Sequence, residues 1–318
     1  MNSINKLLHD PFGVGLYYLF EKWRTKDGRR VLSTNLYKKL AKQLNSRKYK
    51  TIAEQRKAFL EDFQKENDFP IPDDFMKDGW TLFDSEYFPY TKEVVEESLK
   101  LFEEKGPDTS RVDMPYSVVY ADELLANDAF YNFAFSKKMI AHAAKYLGEY
   151  PILNNIDLLR SDPTDRNGWL NSQQLHLDVI DTKILRVVVY ITDVDEENGP
   201  FTFFPLSVSN EMKKDKELNY GSAMSNMSVE DAKLTKYENA EKVIVKGKSG
   251  SVLTVDSCNC FHYGSRAKSK SRCALMLSFT SMSLENLRDR MNLDISEHKN
   301  LDDPLYIKLV RSRDATIQ

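Results

Sequence analysis

The order of elements along the chain predicts an α+β fold: a double-stranded β-helix (jelly roll) core with flanking helices and an N-terminal helical extension. Two observations predict it. As far as Gly148 the apolar residues recur mostly at helical spacing. From Pro151 they fall into short runs separated by turn residues. Helices followed by many short strands pack as two sheets face to face with a helical layer outside.

Residues 1–75 form the extension. Tyr17–Trp23, Leu36–Leu44 and Ile52–Phe63 carry apolar residues at helical spacing, with turns at Asp27-Gly28 and Asn45-Ser46. Between Lys22 and Lys57 thirteen Lys/Arg face only Asp27 and Glu54; scattered rather than blocked, these charges fit a solvated helical face. Phe69-Pro70-Ile71-Pro72 closes the extension, and residues 76–318 form the second unit. There Trp80–Phe83 reads as a strand, and Lys92–Lys105 as a helix with Val95, Leu99 and Phe102 inward. Leu124–Phe135 and Lys138–Leu147 follow as helices, the second capped by Gly148. The core, residues 151–285, holds the strands Ile152–Arg160, Leu175–Val179, Ile184–Thr192, Phe201–Phe204, Val243–Val245, Ser251–Val255 and Arg272–Thr280. Residues 206–240 are polar and long for a connection, which predicts a lid.

Composition excludes several classes. A net charge of −3 does not call for a nucleic-acid partner. No run of eighteen apolar residues predicts a membrane span, and the first residues lack the pattern of a secretory signal. Three cysteines make no disulfide framework. A cytoplasmic location is expected.

The chemistry gathers in a few residues. His176 and Asp178 alternate onto one strand face, about 7 Å apart at Cα. His262 follows on a later strand, and Arg272 one hairpin, Tyr263–Ser271, beyond it. Two imidazoles and one carboxylate on one side of a metal form the facial triad of non-heme Fe(II) oxygenases. Arg272 adds a planar fork able to hold a remote carboxylate. Asp178 is preferred to Asp181 by strand parity, and Arg272 to Arg186 by the hairpin. His142, mid-helix, is read as packing or facing solvent. Cys258 and Cys260 alternate with His262 on one strand face and read as small buried groups lining the inner wall.

Gln174-Leu175-His176-Leu177-Asp178, Asn198-Gly199-Pro200, Gly250-Ser251-Val252-Leu253, Phe261-His262-Tyr263-Gly264 and Arg272-Cys273-Ala274-Leu275 stand in a characteristic order. With Asp78-Gly79-Trp80 and Tyr146-Leu147-Gly148 upstream, residues 76–285 resemble the phytanoyl-CoA dioxygenase-like family of Fe(II)/2-oxoglutarate-dependent oxygenases. The resemblance implies iron on His176, Asp178 and His262 and 2-oxoglutarate on Arg272, with Gln173 as a further cosubstrate contact. It also implies hydroxylation of a small organic molecule by dioxygen, with succinate and CO₂ as co-products. Relatives often carry a Ser two residues after the arginine; here Ala274 leaves one cosubstrate contact unassigned. Two other classes fit less of the pattern: a cupin-like metal isomerase or binding module, and an oxygenase acting on a macromolecule.

Overall fold

Strand runs rich in Val, Ile, Leu and Phe pair into two antiparallel sheets, and amphipathic helices cover the outer face of the larger one. The computed structural model describes residues 50–70, 72–106, 116–163, 168–169, 171–178, 181–218, 220, 228–281 and 303–311. The expected helices at 17–23 and 36–44, and most of the basic stretch 22–57, lie outside the described residues.

Helices Lys50–Glu66 and Asp73–Asp78 precede β1 (Trp80–Phe83). Helix Thr91–Lys105, β2 (Tyr116–Val119) and helices Ala121–Ala126, Asp128–Ala134 and Lys137–Leu147 come next. Then follow β3 (Ile152–Ser161), β4 (Leu175–His176), β5 (Ile184–Tyr190) and β6 (Phe201–Phe203). Helix Leu206–Lys214 leads to β7 (Ser228–Val229), β8 (Val243–Val245) and β9 (Val252–Val255). β10 (His262–Tyr263), β11 (Arg272–Thr280) and helix Leu305–Arg311 complete the described chain. The large sheet has the order β1-β9-β5-β11-β3-β2 and the small sheet β7-β4-β10-β6-β8.

Strand parity decides which side chains face the site. Cys273, Leu275, Leu277 and Phe279 of β11 join Phe130, Phe133 and Ile140 in the core beneath the helices. Ala274 and Met276 face the other way, with Val188, Tyr190, Phe201 and Phe203, into the space between the sheets. No helix among the described residues is long and apolar enough to cross a membrane.

Four expectations change. The helix expected over 124–135 is two helices, because Asn127 leaves helical backbone and its side chain accepts the Ala129 N–H at 2.9 Å. In helix Thr91–Lys105 the buried stripe is Thr91, Val94 and Ser98, while Val95, Leu99 and Phe102 pack on its flank. Cys258 and Cys260 lie in a turn rather than a strand; both are buried. Residues 206–240 are not a bare loop: besides the helix they hold β7, paired to β4, and a 3-10 helix, Asp231–Tyr237. Met212, Leu218 and Val229 bury against Leu175, Leu177 and Phe261 behind the small sheet.

Candidate metal centre

β4 and β10 pair with His176 directly opposite His262. The two imidazoles leave the same face of the small sheet, with ring centroids 4.3 Å apart. Each ring is fixed by a backbone carbonyl two residues upstream: His176 Nδ1 lies 2.8 Å from the Gln174 oxygen, and His262 Nδ1 3.0 Å from the Cys260 oxygen. A carbonyl only accepts, so both Nδ1 atoms carry a proton, and Nε2 is the ring nitrogen left to face a metal. Burial, with the neighbouring His176 ring next, pushes the His262 pKa down to about 3, which keeps that ring neutral.

Asp178 has left the β4 ladder but not its neighbours. Its N–H donates to the Ser257 carbonyl at 2.9 Å, and its Oδ2 accepts from Ser257 Oγ at 2.5 Å and from Arg186 Nη2. Burial disfavours the charged carboxylate, but the Arg186 guanidinium, the two imidazoles and the Ser257 hydroxyl outweigh it and hold the carboxyl well below the usual range. Ligand atoms of His176, Asp178 and His262 lie within 4.8 Å of one another, the only such group of three or more His, Cys, Asp or Glu among the described residues.

Arg272 is 1% exposed. Its Nη1 donates to the Gly199 carbonyl at 2.7 Å, and its Nη2 to Ser265 Oγ at 2.6 Å and Ser161 Oγ at 3.4 Å. Its Nε has no partner, and all three acceptors are neutral. Burial lowers its pKa, as expected of a cation without a counter-charge. Gly264 packs beside it: a Cβ there would lie 3.7 Å from both Arg272 Nη1 and Phe201 Cδ2. Phe201 in turn stacks on the His262 ring, with centroids 5.2 Å apart and planes at 16°. The guanidinium and the face that carries His176 and His262 thus share one wall.

The remaining residues are placed as follows. Gln173 is buried and donates to the Ser265 carbonyl at 2.9 Å. Arg186 is the ion-pair partner of Asp178. Asp181 is a buried turn residue that accepts the Ser281 N–H at 2.9 Å. His142 stacks on Phe75 at 5.0 Å, in the helical core. Sequence reasoning missed Ser257 and Ser265, which lie in irregular segments without periodicity. Asn198-Gly199-Pro200, one of the motifs of the resemblance, also supplies the Gly199 carbonyl that accepts from Arg272.

No protein-family model matches the chain, and no curated protein matches it. Among solved structures it is similar to the epimerase SnoN in complex with Fe3+, α-ketoglutarate and nogalamycin RO: 15% identity, 71% of this chain and 84% of that one, TM-score 0.47. It is similar to EctD from S. alaskensis with 2-oxoglutarate and 5-hydroxyectoine: 14% identity, 69% and 79% covered, TM-score 0.48. For HygX from Streptomyces hygroscopicus with nickel and 2-oxoglutarate bound, the values are 14%, 66% and 87%, and 0.45. Likeness of this size transfers no activity.

Proposed function

We propose that the chain is an Fe(II)/2-oxoglutarate-dependent dioxygenase that hydroxylates a small organic molecule, on a double-stranded β-helix core. The observation that carries this reading is the meeting of two features across Phe201 and Gly264. One is the convergence of His176, Asp178 and His262; the other is the buried Arg272 with an unpartnered Nε and no counter-charge. Two imidazoles and a carboxylate suit Fe(II) with positions left open. A guanidinium short of an acceptor suits the far carboxylate of a keto diacid.

Bound there, iron with 2-oxoglutarate and dioxygen supplies the oxidising power for C–H hydroxylation, the keto acid leaving as succinate and CO₂. The chain's own side chains do the positioning. The Gln174 and Cys260 carbonyls fix both imidazoles in the metal-binding tautomer. Arg186 and Ser257 keep the Asp178 carboxylate ionised and oriented. Arg272 orients the cosubstrate, with Gln173 bordering the same pocket through Ser265. Phe201 and Phe203 wall the substrate space. A lid over this space would come from the part of 206–240 near Asp231, which Arg266 holds at 2.8 and 2.9 Å, since Met212, Leu218 and Val229 pack behind the small sheet. The carboxylate of Asp178 fills the position that a halide would need, which favours hydroxylation.

The test is succinate release from 2-oxoglutarate by the purified chain with Fe(II), ascorbate and a metabolite pool. Release should occur and be lost in His176→Ala, Asp178→Ala and His262→Ala. Metal binding without consumption of 2-oxoglutarate would refute it and favour a cupin-like isomerase or binding module.

A further inference from the structure

We infer that the inner face of β3 and β11 carries a subsite for a protonated amine, built on Asp157, Asn155 and Ser278, and that the substrate is a small molecule bearing that group. The inference rests on the dioxygenase reading and deepens it by naming the substrate class. Register brings the three side chains together. Antiparallel partners point to the same face, and the even-numbered residues of β11 face the space between the sheets. Asp157 lies opposite Met276 and Asn155 opposite Ser278, in rows that continue on β5 to Val188 and Arg186. Arg186 grips Asp178, so the cluster and the three converging ligand residues open onto one space. Two strand spacings, about 10 Å, separate Asn155 from Arg186 along the sheet, a span that one small molecule covers.

The cluster is a set of acceptors. Asn155 Nδ2 donates to the Asp157 carboxylate, which leaves the Asn155 Oδ1 as an acceptor with no donor among the described residues. Ser278 is 0% exposed and its Oγ has no partner. On a wall that is otherwise Ala274, Met276 and Val188, a buried hydroxyl without a partner marks the place of a missing polar group. Arg186 does not fill it, because its ion pair goes to Asp178. Burial works against the charge of Arg186, and Asp178 foremost, with Asp157 adding least, holds its pKa above the ordinary value. Asp157 thus acts on Arg186 only at longer range. Asn155 and Asp157 are half-buried, within reach of a ligand entering between the sheets. A carboxylate, an amide oxygen and a hydroxyl on one wall match the three N–H donors of an ammonium, which brings no acceptor of its own. An anionic group would be repelled by Asp157, and an alcohol has a single proton to share among the three.

The experiment is calorimetric titration of the full chain, loaded with Ni(II) and 2-oxoglutarate, against four probes of one length: hexylammonium, hexyltrimethylammonium, hexanol and hexanoate. Hexylammonium should bind about ten- to a hundredfold more tightly than hexanol or hexanoate, the size of a hydrogen bond to a charged group. Hexyltrimethylammonium, which has the charge without the N–H donors, should fall between. The same order in the metal-free chain separates the subsite from an amine bound to nickel. Asp157→Asn should abolish the preference for hexylammonium over hexanol while taking up Ni(II) like the native chain. Ser278→Ala should melt no lower than the native chain, because it removes an unpartnered buried hydroxyl, yet bind hexylammonium severalfold more weakly. Equal binding of ammonium and alcohol by the native chain, a preference that vanishes without nickel, or a preference that survives Asp157→Asn would overturn the amine subsite and leave the dioxygenase reading standing. Tight hexylammonium binding by a chain that releases no succinate from 2-oxoglutarate with Fe(II) would overturn the dioxygenase reading and leave the subsite.

Discussion

Replacing Arg186 with glutamine tests how the metal site is charged. The Arg186 and Asp178 side chains are 15% and 16% exposed, so their ion pair is largely out of water. Losing a hydrogen bond from a charged donor costs about 1.5–3 kcal/mol. Ser257 still donates to the same oxygen, which argues for the lower part of that range, about 2 kcal/mol. Scaled by the usual unfolding entropy per residue over this length, the metal-free variant should melt roughly 3 °C lower. A divalent ion on Asp178 restores the missing counter-charge and no longer competes with a guanidinium for it. Most of the loss should therefore return on metal binding, and by linkage the variant should bind metal more tightly, about tenfold for each 1.4 kcal/mol recovered. Scanning calorimetry of both proteins with and without matched Ni(II) reads this directly. The variant should start lower and rise further. An equal or smaller rise would refute the reasoning and make Arg186 a support that the metal requires.

Arg272→Met should weaken 2-oxoglutarate binding by about 3–5 kcal/mol, roughly two to four orders of magnitude, without lowering the melting temperature of the ligand-free chain, since a buried cation lacking a counter-charge is removed; calorimetry and thermal melts measure the two. His142 and His262 each stay neutral in the fold to about pH 3, whereas both protonate near pH 6.5 when unfolded. The unfolded chain binds more protons between those limits, so stability should fall as pH drops from about 6.5 to 3. His142→Leu, far from the metal ligands, should flatten that slope in urea melts while leaving metal binding intact. Gly199→Ala should destabilise the chain and weaken 2-oxoglutarate binding together: φ is +69°, and its Cβ would sit 2.4 Å from the Ala267 nitrogen. A stable Gly199→Ala protein with native affinity would show that this carbonyl does not hold Arg272 in place.

The convergence of His176, Asp178 and His262 was legible because strand parity survives the end of a strand. β4 stops at His176, yet Ser257 catches the Asp178 backbone and side chain and keeps the two-residue offset on one face. The reason expected for Arg272 was wrong: Tyr263–Ser271 is no hairpin but a crossing from the small sheet to the large one, and the guanidinium meets the His262 wall through Gly264 and Phe201 instead. The partner of Arg186 was not legible, since a cation on an inward strand face does not reveal which carboxylate the neighbouring sheet brings to it. Composition hid the helix Leu206–Lys214, whose buried residues are only Ser209 and Met212. Asn127-Asp128 carried a capping signal that helical periodicity across it overrode.

The strands that carry the two histidines are two residues long, and the rest of their sheet has two or three residues per strand. β5 and β11 of the other sheet have seven and nine. His176 and His262 belong to the short-laddered sheet, whereas Asp178 is gripped by Arg186 of β5 and by Ser257 just past β9. An ion held by all three therefore rivets one sheet to the other across their open seam. Withdrawing it with a chelator should let amides around β4 and β10 exchange first while β5 and β11 stay protected, so such an ion would also set the order in which the protein comes apart.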